Sequence, residues 1–312
     1  MSERQTLSYL QKRFELARIQ PQTRFGQNFL IDLNLLELIA RTAELGPRDV
    51  VLEVGTGMGS LTSLMAPHAG HVVTVEIDRH LAPLAKQEFA AFNNVTLLEM
   101  DALRTKNSLH PDLIATLQQQ VAAIPGGRLK LVANLPYNVA TPILSNLLNI
   151  EPWPTRMVAT IQRELAERIA ASPRTKDYSA LSIWMQAQCQ VEIVRVMPPA
   201  VFWPRPKVES AILDIRPQKI LRDRIADRTY FHELVRAIFL HRRKFLRSAL
   251  ASAVKDRMDK TAVDEIMAIM NLDATTRAEQ LSPMQLIELT ELVQDKEKNG
   301  IPDTHGEGSG LQ

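Results

Sequence analysis

The segment Val51-Leu52-Glu53-Val54-Gly55-Thr56-Gly57-Met58-Gly59-Ser60 constrains this chain more than any other. A short apolar run ends in a glycine-rich turn and a helical run follows, which makes a strand–turn–helix unit. Glycines in the turn permit φ > 0 and let the backbone approach a ligand that a Cβ would keep away. The spacing is G-x-G-x-G, one residue short of the G-x-G-x-x-G turn that wraps a pyrophosphate at a helix N-terminus. Such a turn suits a ligand without phosphate.

The same alternation continues downstream. Predicted strands cover 50–54, 72–75, 95–98 and 129–133, with helical spacing at 79–92 and 111–123 between them. Strand alternating with helix predicts a mainly parallel sheet covered on both faces. After residue 150 the pattern changes. Strands are predicted at 157–161, 191–196 and 208–215, the last two separated by a link with Pro198, Pro199, Pro204 and Pro206 and expected to pair antiparallel at one end of the sheet. A polar stretch at 217–228 predicts a boundary, and helices at 230–254, 261–270 and 283–293 make a small all-helical domain. The expected organisation is a helical extension at 1–22, an α/β domain at 23–218, a helical domain at 219–294 and a disordered tail at 295–312.

A chain of 312 residues, 45% hydrophobic, is long enough for these two domains. Its 37 Lys and Arg against 35 Asp and Glu leave it close to neutral. Nucleic acid therefore enters the argument only through local clusters of basic residues. Cys189 stands alone, which excludes an internal disulfide and a cysteine zinc site. The seven histidines show no ligand spacing, and no metal is expected. The N-terminus lacks a secretory apolar segment, and nothing approaches the roughly 20 apolar residues that cross a bilayer. A soluble, cytoplasmic protein is the expectation.

Three more strand ends carry chemistry. Glu76 closes the second predicted strand, where a carboxylate can accept both hydroxyls of a ribose. Asp101 follows the third and could accept from an adenine amino group. The fourth runs into Asn134-Leu135-Pro136-Tyr137-Asn138. An Asn-x-Pro-Tyr turn suits chemistry on a conjugated amine, whose lone pair is delocalised into its ring. The Asn134 side-chain carbonyl and the Pro136 backbone carbonyl could each accept one of its N–H groups and turn the lone pair toward a methyl sulfonium. Tyr137 could stack on a base taken out of its helix. Arg236, Arg242, Arg243, Lys244 and Arg247 crowd the helix predicted at 230–254, with Arg205 and Lys207 on the proline-rich link, as expected of a phosphate-binding surface.

With these residues assembled, the chain resembles the small-subunit ribosomal RNA adenine dimethyltransferases. The erythromycin-resistance methyltransferases of large-subunit rRNA and the mitochondrial dimethyltransferases are related in chemistry. The motifs are RFGQNFL at 24–30, EVGTGMGSLT at 53–62, VEIDR at 75–79, NLPYN at 134–138, VFWPRPKVESAI at 201–212, HRRKFLRSAL at 241–250 and RAEQLSP at 277–283. The resemblance implies a Rossmann-like methyltransferase sheet and S-adenosyl-L-methionine as methyl donor. It places Asn28 and Leu30 at the cofactor from the N-terminal side, with Gly55, Glu76, Asp101 and Asn134. It sets Tyr137 and Phe202 on either face of the target base. The activity it implies is N6,N6-dimethylation of two adjacent adenosines in a hairpin near the 3′ end of small-subunit rRNA during ribosome assembly. Its partner is then the assembling small subunit, and the chain works as a monomer. Alternatives are a large-subunit target, a non-catalytic assembly factor and protein glutamine methylation. Thr56 stands where the family usually has proline and Ala180 where it often has glycine. The connection at 105–127 is longer than in many members and has no role assigned by the resemblance.

Overall fold

A computed structural model describes residues 6–241 and 244–300, apart from the side chains of 299 and 300. Seven strands form one sheet: β1 (Asp49–Val54), β2 (His71–Glu76), β3 (Val95–Glu99), β4 (Arg128–Asn134), β5 (Arg156–Gln162), β6 (Cys189–Met197) and β7 (Ser210–Pro217). Their order is β3-β2-β1-β4-β5-β7-β6. The first five run parallel, while β7 pairs antiparallel with β5 and β6. The antiparallel pair expected around the proline-rich link is therefore present at the sheet's end. β1 is buried at every position and β4 through its middle, which is why they read as continuous apolar runs rather than alternating ones.

Seven helices belong to this unit: α1 (Leu7–Leu16), α2 (Leu33–Thr42), α3 (Ser60–Met65), α4 (Ala82–Glu88), α5 (Pro111–Ala123), α6 (Ala140–Leu147) and α7 (Arg163–Ala170). α4 is shorter than the helix predicted at 79–92. The connection left without a role contains α5, the crossover from β3 to β4, started by His110 accepting from Asp112 N–H and by Pro111 in its first turn. At the end of the sheet away from the glycine turn, buried Lys130 donates to Ala43 O, Glu44 O and Asp49 Oδ2 at 2.7–2.9 Å. It ties β4 to β1 and to the carbonyls that end α2.

Contacts divide the chain into two compact units, Met1–Ala170 with Cys189–Gln218, and Ala171–Gln188 with Lys219–Gln312. The helical unit thus takes in 171–188, a stretch the sequence places with the sheet. It contains α8 (Ala180–Gln186), α9 (Lys219–Arg222), α10 (Arg228–Phe239), α11 (Leu246–Ala253), α12 (Lys260–Ile269) and α13 (Pro283–Gly300). Two further expectations change. The single helix predicted at 230–254 is broken into α10 and α11. α10 buries Phe231, Leu234, Val235 and Ile238 at helical spacing, but the next position in that phase falls on His241, which is polar and exposed. The pattern restarts one residue out of phase at Leu246, Ala249 and Leu250. α13 runs to Gly300, through the first six residues of the expected tail, and Lys296 and Glu297 pair with Glu265 and Arg257. The remainder of that tail, 301–312, lies outside the described residues.

Candidate active site

The ends of β1, β2 and β4 and the residues just after β3 surround a cavity of about 310 Å³. That is a volume in the range of small-molecule sites. Gly55, Glu76, Asp101, Asn134, Pro136 and Tyr137 all line it, joined by Asn28 from the N-terminal segment. Of the expected cofactor residues only Leu30 is elsewhere: it is buried and lines a smaller adjoining recess with Gly55, Gly57 and Asn134.

The glycine turn is held in shape from both sides. Gly55, Gly57 and Gly59 have φ of 88°, 57° and 83°. A Cβ on Gly55 would lie 3.2 Å from the Pro136 ring, and one on Gly57 3.1 Å from the Phe29 ring. The turn therefore packs against Pro136 on one side and Phe29 on the other, more closely than a side chain fits without displacing them. Beneath them Glu53, 1% exposed, accepts from the Thr62 and Thr74 hydroxyls, and Thr56 bonds Thr74 at 2.6 Å. The Thr56 hydroxyl thereby tethers the turn to β2. Burial pushes the Glu53 carboxyl up to about 7 against those two hydroxyls.

Glu76 is 5% exposed and accepts from Gly57 N–H at 2.8 Å and Asp78 N–H at 2.9 Å. Burial raises it to about 7, opposed by these backbone donors. Its remaining acceptor capacity is open to a ligand's hydroxyls. Asp101 is exposed and accepts from Leu103 N–H at 2.9 Å. The Asn134 amide nitrogen donates to Asn28 O at 2.9 Å. That bond fixes the amide's orientation and leaves Oδ1 with no protein donor among the described residues. Pro136 O accepts from Val139 N–H at 3.1 Å, which leaves its second lone pair. The Tyr137 hydroxyl bonds Ser210 Oγ at 2.6 Å, and burial holds the phenol above its ordinary range.

Phe202 does not reach the cavity. Residues Phe29–Leu30 pair antiparallel with Phe202–Trp203, with Leu30 opposite Phe202. This pairing draws the Phe202 side chain into a core with Leu30, Leu36, Ile39 and Met197. Phe25 and Gln27 line the cavity instead, and Gln27 Nε2 donates to buried Asp78 at 2.9 Å. The polar residues inside RFGQNFL were the available signal for this wall. α1 lies close by: its Leu10 and Phe14 pack with Met58, Leu81, Phe29 and Trp203. The expected N-terminal extension is thus part of the site's surround.

A profile of the family described as ribosomal RNA adenine dimethylase matches residues 18–293. The chain belongs to that family. The ribosomal RNA small subunit methyltransferase A of Halothermothrix orenii is 37% identical over 261 residues, covering 84% of each chain. That of Bacillus cytotoxicus is 40% identical over 261 residues, covering 82% of this chain and 86% of its own. The fold is shared with the crystal structure of a dimethyladenosine transferase from Plasmodium falciparum, with a TM-score of 0.71 and 23% identity over 86% of this chain and 98% of that one. The rRNA adenine dimethyltransferase is an S-adenosylmethionine-dependent enzyme, and the positive-φ Gly55 and Gly57 together with Glu76, all lining the cavity, fit that methyl donor.

The basic residues of the dimethyltransferase are less concentrated than one helix would make them. Arg205 and Lys207 are exposed on the link between β6 and β7. Arg236 is exposed on α10, Lys244 on the connection after it, and Arg247 lies on α11. Arg247 is bound by Asp264, with one guanidinium bond at 2.7 Å, so part of its charge is spoken for. Arg242 and Arg243 lie outside the described residues. Among the described residues no cluster of His, Cys, Asp and Glu could hold a metal ion, and no helix is long and apolar enough to cross a membrane.

Proposed function

We propose that this enzyme dimethylates two adjacent adenosines at N6 in a hairpin near the 3′ end of small-subunit rRNA, on the assembling subunit. The observation that carries the chemistry is the Asn134 amide at the cavity wall, anchored through its nitrogen, which leaves its carbonyl oxygen to accept from a ligand. The names of the curated relatives support the small-subunit target. When bound, S-adenosylmethionine supplies an electrophilic methyl on sulfur. Gly55 and Glu76 would hold its methionine and ribose portions, Asp101 its adenine, and Asn28 would close the site from the N-terminal side. Asn134 Oδ1 and Pro136 O would accept the target amine's two N–H groups, and the Tyr137 ring would stack on the base. Alignment with localised charge suffices, and no strong base is required. In the arrangement described, Phe202 can take the second face of the base only by leaving its core. Arg205, Lys207 and the basic residues of the helical unit, Arg242 and Arg243 included, would meet phosphates.

Methylation of purified under-methylated small subunits, with large subunits in parallel, tests the target. Transfer to the large subunit alone overturns it. Asn134→Ala should lower the single-turnover rate by about 10²–10³ with little change in RNA affinity. A rate near wild type would refute the mechanism.

A further inference from the structure

Tyr137 has a partner that the chemistry above does not use. Its hydroxyl meets Ser210 Oγ at 2.6 Å, and Ser210 is fully buried at the start of β7. There it is paired with Gln162 of β5 and Met197 of β6. Tyr137 rises from the turn after β4, so this bond spans β5 and ties a turn residue to a strand anchored on both edges. A half-buried ring on a turn can occupy more than one rotamer, and a hydrogen bond to an immobile hydroxyl selects one of them. The phenol, raised by burial, stays protonated and keeps the bond throughout the neutral range.

We propose that Ser210 is a positioning residue that fixes the plane of the Tyr137 ring and thereby governs the second methylation of each adenine more than the first. The inference rests on the reading of Asn134 and Tyr137 given above. Each transfer forms one N–C bond, breaks one S–C bond whose electrons remain on sulfur, and releases one proton from nitrogen to solvent. The amine begins with two N–H groups for two carbonyl acceptors, Asn134 Oδ1 and Pro136 O. After one transfer it keeps a single N–H, so only one acceptor is engaged. Alignment of the second transfer then depends more heavily on the stacked ring.

The test uses the full-length enzyme on under-methylated small subunits, with mono- and dimethyladenosine measured by mass spectrometry in single-turnover time courses. Ser210→Ala and Tyr137→Phe should each slow the second transfer by about 10-fold and the first by about 3-fold or less, so that monomethyladenosine accumulates. The double variant should be no slower than either single variant, because both remove one bond. Cofactor affinity by calorimetry should match wild type in all three. Tyr137→Phe removes the bond while leaving Ser210 in place, so it decides the question even if Ser210→Ala folds poorly. A wild-type ratio of mono- to dimethyladenosine in Tyr137→Phe overturns the inference. So does a double variant whose loss equals the product of the two single losses. An Asn134→Ala enzyme at wild-type rate overturns the underlying reading and this inference with it. A slow Asn134→Ala beside an unchanged Tyr137→Phe product ratio overturns this inference alone.

Discussion

Two buried carboxyls, Glu53 and Glu76, lie at neighbouring strand ends and are raised to about 7 by burial. A carboxyl raised from its unfolded value contributes stability that is fully present below about pH 4.5. It is lost as pH climbs through about 7, where the folded form must ionise without water. The ligand-free enzyme should therefore lose thermal stability between pH 5 and 8. Glu53→Gln should flatten part of that slope, by an amount on the order of 3 kcal/mol at most. Identical melting profiles across this range would show that Glu53 is already ionised in the fold. Glu76→Ala should weaken S-adenosylmethionine binding by about 10- to 100-fold, from the loss of a hydroxyl-accepting carboxylate and of the Gly57 tether. An unchanged Kd in calorimetry would remove Glu76 from the ribose. The site was legible at this scale wherever backbone and side chain act within a few positions: the glycine turn, Glu76, Asp101 and Asn134 were all placed by strand ends alone. Phe202 and Ser210 were not legible in the same way. What each touches is set by pairing with distant segments, Leu30 for one and the Tyr137 turn for the other, and local spacing carries no trace of either.

Strands were easier to read from the sequence than helix ends. An apolar run flanked by turn residues marks a buried strand whatever surrounds it, whereas a helix can stop where its apolar phase slips. That slip falls between α10 and α11, and it distributes the basic residues over two helices and a connection. Arg247 faces Asp264, so reversing its charge would place two carboxylates together and disturb α11 and α12 as well as any RNA contact. Lys244 and Arg236, both exposed, give the cleaner experiment. Lys244→Glu with Arg236→Glu should weaken small-subunit binding and flatten its dependence on salt, by about one unit of log–log slope per lost phosphate contact, with cofactor affinity unchanged. Binding and slope both at wild-type values would make this surface a solvated face only.

For the molecule as a whole, the fold class is legible in the sequence, but the two domains are separated there by a single cut, at 218. Composition changes there, so a boundary was visible. The grouping of 171–188 with the helices was not, because the local pattern of that stretch does not say which core its apolar residues Tyr178, Ile183, Trp184 and Met185 enter. Within the helical unit Trp184 stacks near Phe231 with ring centroids 6.5 Å apart, and the Tyr178 hydroxyl donates to Leu281 O at 3.0 Å. A protein ending at residue 218 would leave buried Trp184 and Tyr178 without these partners. It should express as an aggregate. Replacing 171–188 as well, with a short polar linker, should restore a soluble sheet unit that still binds S-adenosylmethionine. Soluble, cofactor-binding material from the simple truncation would contradict this. The same interleaving limits how such a gene can recombine. A single crossover near codon 218 joins one parent's helices to the other parent's α8 and splits a packed core between two histories. Exchange of the helical unit between distant lineages therefore requires a matched double event, and the two stretches should be inherited together.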